Sequence, residues 1–158
     1  MKKLLLVASV LLATSAFAEK IGVVDTQKVV SQFSETKKAQ QSLESEAKRA
    51  ENEARQREVA LQKEQVALQS KGDKLTDAEK KAFEKKVQDY ENFINSSQEK
   101  LNKAQFAKLQ QIETVYNAAV KKVVAAGKYD FVFEADAVKF GGEDITAQVL
   151  KEMEASKK

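Results

Sequence analysis

Between Gly22 and Gly127 the chain carries no proline and a single glycine, Gly72. Proline would remove a helix hydrogen bond and clash with the preceding turn, so nothing of that kind interrupts a helix on either side of Gly72. The interval is rich in Ala, Gln, Glu and Lys, all good helix formers. Two long helices joined by one turn are therefore expected.

From Ser34 to Ser70 the apolar residues are sparse and fall at heptad spacing. Ala47, Ala54, Leu61 and Leu68 are seven apart, and Leu43 and Ala50 begin a second row that breaks at Arg57 and Glu64. Lys48, Arg49, Glu51, Glu53, Arg55 and Glu58 flank this narrow seam, as in an exposed coiled-coil helix. Lys71-Gly72-Asp73-Lys74-Leu75 reads as a turn with Gly72 left-handed, so the tip lies near 71–76. Thr76-Asp77-Ala78-Glu79 has the capping-box spacing. The second helix is predicted from Asp77 to Ala126, about 75 Å at 1.5 Å per residue.

Its seam runs through Phe83, Tyr90, Ser97 and Ala104, with Val87, Ile94 and Leu101 between them. From Phe106 the stripe shifts to Leu109, Ile112, Tyr116, Val120 and Val123, as expected where a hairpin enters a packed body. Gly127 is expected to end the helix.

The flanking segments read differently. Lys20 to Asp25 is a β-branched strand, followed by Thr26 as N-cap of a short helix bearing Val29, Val30 and Phe33. Tyr129–Phe133 alternates as a strand, Val138–Phe140 is a second one, and Gly141-Gly142 a turn. Asp144 is expected to cap a final helix carrying Ile145, Val149, Leu150 and Met153, with a frayed tail from Glu154.

Helices joined by so short a turn run antiparallel. The fold class is thus α+β, mostly α: a hairpin over 34–126 on a small β-body built from 19–33 and 127–158. That body is too thin to bury much surface alone, so other copies of the chain are expected to complete it. Ile21, Val23, Tyr129, Phe131, Phe133 and Val138 are assigned to the body or subunit interface.

Residues 1–18 read as a signal peptide. Lys2 and Lys3 precede the apolar run Leu4–Ala13, and Ala16-Phe17-Ala18 is an A-x-A cleavage pattern, so the mature chain begins at Glu19 and is exported. Losing Lys2 and Lys3 takes the basic count from 27 to 25 against 24 acids, a net of +1. Near-neutrality and export argue against a nucleic-acid partner. With no Cys and no His, thiol nucleophiles, disulfides, His triads and imidazole metal sites are closed. No Gly-rich phosphate loop is present, so no enzyme activity, cofactor or metal is expected.

These features resemble the Skp/OmpH family of periplasmic chaperones. The likeness lies in the signal peptide, Lys20-Ile21-Gly22-Val23-Val24-Asp25 with Gln27 and Val29-Val30, and the long charged hairpin. It is most specific in Tyr129-Asp130-Phe131-Val132-Phe133-Glu134-Ala135-Asp136-Ala137-Val138 and Asp144-Ile145-Thr146-Ala147-Gln148-Val149-Leu150. The resemblance implies a homotrimer whose hairpins enclose a cavity, in a Gram-negative type of envelope. It also implies an ATP-independent holdase that keeps unfolded outer-membrane β-barrel proteins from aggregating in the periplasm. Beside a strongly basic family member with tips rich in Lys and Arg, the stretch from Lys63 to Lys86 is mixed, with seven Lys and five acids.

A holdase needs many weak contacts around one enclosed chain, which multivalency turns into useful affinity. Lys63, Lys71, Lys74, Lys80, Lys81, Lys85 and Lys86 near the tip are candidates for steering clients or touching anionic lipid or lipopolysaccharide weakly. For Lys80, Lys81, Lys85 and Lys86 the favoured reading is an ordinary solvated helix face with Glu79, Glu84 and Asp89 as helical neighbours. Phe93, which the heptad count places off the seam, is the candidate apolar client contact. Asp130 and Glu134 read as solvent-facing acids rather than a catalytic pair. The competing function is a structural or adaptor coiled coil of the envelope that docks one specific partner.

Overall fold

A computed structural model describes residues 19–157. The signal-peptide reading of 1–18 lies outside the described residues, as does Lys158. The elements in order are β1 (Ile21–Val24), α1 (Thr26–Gln32), α2 (Ser34–Gln69), α3 (Asp77–Gly127), β2 (Phe131–Glu134), β3 (Glu143–Asp144) and α4 (Thr146–Ala155). Short 3-10 turns occupy Gly72–Lys74 and Ala135–Ala137.

The three strands form one parallel sheet in the order β2-β1-β3, with Ile21 opposite Phe131 and Val23 opposite both Phe133 and Asp144. Parallel pairing needs a long crossover that carries the chain back to the same end, and the helical hairpin is that crossover between β1 and β2. On the inner face of the sheet Val24 is buried, and it joins Val29, Phe33, Ile112, Ala119, Val123, Tyr129, Ile145, Val149 and Met153 in one core. The core therefore fastens α1, α4 and the last third of α3 onto the sheet.

The hairpin matches the sequence reading at its tip. Gly72 is left-handed at φ 51. The capping box is complete: Thr76 Oγ1 accepts from the Glu79 N–H, and Glu79 accepts from the Thr76 N–H at 3.0 Å.

Elsewhere local expectations yield to tertiary structure. Asp25, not Thr26, caps α1, accepting from the Lys28 N–H at 2.7 Å. Gly127 stays helical and the left-handed residue is Lys128, at φ 52. Glycine is needed at 127 because a Cβ there would lie 2.1 Å from the ring of Tyr129. The Val138–Phe140 strand does not form. The 3-10 turn precedes it, the left-handed Gly141 and Gly142 redirect the chain, and the third strand is Glu143–Asp144. Asp144 does accept from the Thr146 N–H at 2.9 Å at the start of α4.

The expected fraying at Glu154 is replaced by docking. Phe33 precedes α2 and has no capping side chain, so the Glu154 carboxylate reaches across from α4. It accepts from the Ser34 N–H at 2.8 Å and the Ser34 hydroxyl at 3.0 Å.

Candidate functional site

Two surfaces are left largely open by a single chain: the flanks of the hairpin, and the outer face of the sheet, over which the Gly142 backbone passes close to Val23. The hairpin seam is narrower and more polar than heptad counting suggests. Leu43, Ala50, Ala54, Leu61 and Leu68 of α2 are half-buried, whereas Ala47 lies outside the seam. The row that seemed to break at Arg57 and Glu64 continues in space with polar contacts. The Arg57 guanidinium stands over the Phe93 ring at 4.2 Å, and Glu64 pairs with Lys86 at 2.7 Å. Nearer the tip, Lys71 pairs with Glu79. That pair and the capping bonds from Thr76 hold the Glu79 carboxyl at about 2, below its ordinary 4.5.

This geometry sorts the predicted site residues. Lys71 and Lys86 cross-link the two sides of the hairpin, and Lys80 pairs along α3 with Asp77 at 3.4 Å. Lys63, Lys74, Lys81 and Lys85 have no carboxylate within ion-pair distance among the described residues. Phe93 is not off the seam: it is half-buried beneath Arg57, while its neighbour Ile94 is 39% exposed. The exchange is local: Val87, Tyr90, Ser97, Leu101 and Ala104 stay half-buried at their heptad positions, and Arg57 of α2 lies across Phe93.

The larger apolar surface was missed by pattern reading. Phe106 and Leu109 are 63% and 56% exposed, and α3 enters the body only at Ile112. Beside them Val30, Leu43, Leu109 and Ile112 line a mainly apolar groove of about 410 Å³. On α2 the exposed Val59 and Val66 are seven residues apart, and so share a face. Their spacing was visible, but their exposure depends on where α3 packs.

On the body, Ile21 and Val23 of β1 stand beside Phe131 and Phe133 of β2 on the sheet face opposite the core. The two Phe rings stack with centroids 6.2 Å apart and remain about half exposed; Phe140 is almost wholly exposed. Tyr129 belongs to the chain's own core, packed on Gly22 and Gly127, with Lys20 Nζ 4.2 Å from its ring centroid. Val138 is half-buried.

Asp130 and Glu134 are staples rather than free acids. Asp130 accepts from the Lys20 N–H at 2.7 Å, and Glu134 accepts from the Thr26 N–H at 3.3 Å and from the Thr26 hydroxyl. Thr26 also bonds the Tyr116 hydroxyl at 2.5 Å, tying β2 to α3. Among the described residues no cluster of acids could hold a metal ion, and no helix is long and apolar enough to cross a membrane.

Comparison with known proteins bears on this architecture. The fold is similar to a crystal structure of an OmpH-like protein from Caulobacter crescentus, proposed to be an outer membrane chaperone. The TM-score is 0.67 at 18% identity, over 88% of this chain and 86% of that one. A search of curated proteins gave no match. The model of the OmpH-like outer membrane protein family matches residues 20–153, nearly the whole described chain, and the protein belongs to that family.

Proposed function

We propose that the protein is a periplasmic, ATP-independent holdase, exported after cleavage behind Ala18. In this reading it encloses unfolded outer-membrane β-barrel proteins between hairpins and prevents their aggregation. The Caulobacter protein's proposed chaperone role supports the general activity. The observation that carries the mechanism is the scatter of large exposed apolar side chains along an otherwise charged hairpin. Val59, Val66, Ile94 and the Phe106–Leu109 pair are spread over its length. Scattered weak contacts hold a mobile chain by multivalency, whereas a dedicated docking site concentrates aromatic or Arg anchors.

Assembly supplies the enclosure. The outer sheet face bearing Ile21, Val23, Phe131 and Phe133 is apolar and lies on a sheet of two four-residue strands and one two-residue strand. Such a face is expected to be covered by partners, and a homotrimer that merges three bodies would orient three hairpins around one cavity. Lys63, Lys74, Lys81 and Lys85, which have no carboxylate partner among the described residues, are the groups near the tip that steer acidic clients or touch anionic lipid or lipopolysaccharide.

The test is dilution of a denatured β-barrel membrane protein into buffer without nucleotide, with and without the mature protein. Suppressed turbidity is expected, and the combined Phe106→Ser and Leu109→Ser change is expected to weaken it while leaving the helical circular dichroism intact. Suppression limited to one partner, with other unfolded chains left to precipitate, would favour the adaptor reading.

A further inference from the structure

Where the start of α2 meets α3 and the end of α4, the chain encloses a cavity of about 400 Å³. It lies away from the tip lysines and shares Ala39, Lys108 and Ile112 with the groove that Leu109 lines. Its apolar wall is Phe33, Ala39 and Ile112, all buried, and its rim carries Lys38, Lys108 and Lys157 against one acid, Glu35. The size falls within the range of small-molecule sites.

The charges do not balance. Lys38 pairs with Glu35 at 2.7 Å, and Lys157 pairs with Glu154. Lys108 has no carboxylate within ion-pair distance among the described residues, although it lines the same cavity. Three ammonium groups act on one place: Glu35 is held below the usual carboxylate range, first by the Lys38 hydrogen bond and further by the charges of Lys157 and Lys108. Desolvation opposes them. One uncompensated positive charge beside an apolar wall suits one negative charge on an apolar group.

We propose that this cavity binds a single carboxylate carried on a compact apolar body, with the carboxylate at Lys108 and the body against Phe33, Ala39 and Ile112. Two sources share that chemistry: the apolar C-terminal residue of an unfolded chain, and a free medium-chain fatty acid. The first source rests on the chaperone reading; the site itself does not.

Isothermal titration of the mature protein tests it with four probes: a short apolar peptide ending in Phe with a free carboxylate, the same peptide amidated, octanoate, and octanol. At least one acid is expected to bind about tenfold more tightly than its neutral counterpart. Lys108→Gln, on an exposed helix face, is expected to erase that difference, and Lys108→Arg to keep it. Backbone amide shifts on binding are expected within Phe33–Ser42 and Lys108–Val115.

Preference for the acid peptide alone assigns chain ends, and for octanoate alone assigns fatty acid. Preference for both supports the shared chemistry. Equal binding of acid and neutral probes, no binding at millimolar concentration, or a Lys108→Gln protein that binds like the parent would overturn the site. Lys108→Gln is expected still to suppress client aggregation. An unselective cavity in a protein that suppresses aggregation would therefore refute only the site, and an acid-selective cavity in a protein that does not would refute only the holdase.

Discussion

The two ends of the hairpin are held by different physics. At the base, Ile112, Ala119 and Val123 of α3 are buried against α1, α4 and the sheet, and Glu154 caps α2 from outside. Beyond Ala39 in α2, and before Ile112 in α3, no residue is buried. There the helices meet through half-buried side chains, one cation–π contact and the pairs Lys86–Glu64 and Lys71–Glu79. Burial gives the base one defined geometry, while the outer hairpin keeps apolar groups in solvent at little cost to its own structure. A holdase has use for both: a body that assembles specifically, and arms that adapt.

Truncation should break the base first. Phe33→Ala, at a fully buried side chain between α1 and α2, is expected to cost about 3–5 kcal/mol by urea denaturation. Ile94→Ala on the outer hairpin is expected to stay within about 0.5 kcal/mol. Comparable losses at both positions would erase the distinction. Next in size is Gly127→Ala. The Cβ would collide with the Tyr129 ring, and overpacking of this kind costs about 1–3 kcal/mol. A neutral effect on the melting curve would show that Tyr129 moves aside freely.

Smaller effects sharpen the account of the arms. Arg57→Ala removes the cation over Phe93 and is expected to cost about 0.5–1 kcal/mol. The loss should appear as faster amide exchange in the middle of the hairpin and unchanged exchange in the body. Smallest is the acid response of the tip. Glu79 is held near 2 in the fold against an ordinary 4.5, so its contribution is complete above about 4.5 and lost as pH falls through about 2. Carbon-detected titration of its carboxyl should give that low midpoint. An ordinary midpoint would mean that the Lys71 and Thr76 contacts do not persist in solution.

Legibility in the sequence follows the range of the interaction. The turn at Gly72 and the Thr76–Glu79 box are local, and each stands where the residues place it. Long-range partners were hidden. Glu154 looks like tail until Ser34 is known to lie beside it, 120 residues away along the chain. Arg57 and Glu64 look like breaks in an apolar row until Phe93 and Lys86 face them. The assignment of Phe93 rather than Ile94 to the outside failed by one position, because Arg57 of α2 faces Phe93 while the heptad positions on either side, Tyr90 and Ser97, hold. Phe106 and Leu109 continue the pattern of the buried Ile112, and only the height of the body along α3 separates exposed from buried.

The central claim is that an apolar sheet face assembles copies of the chain so that their hairpins enclose an unfolded client. Light-scattering mass of the mature protein, alone and after addition of a denatured β-barrel membrane protein, tests it most directly. The account predicts a trimer that retains one client in a soluble complex, and a monomer that loses the client when Phe131 and Phe133 are both changed to Asp. A parent protein that stays monomeric and leaves the client to precipitate would contradict it.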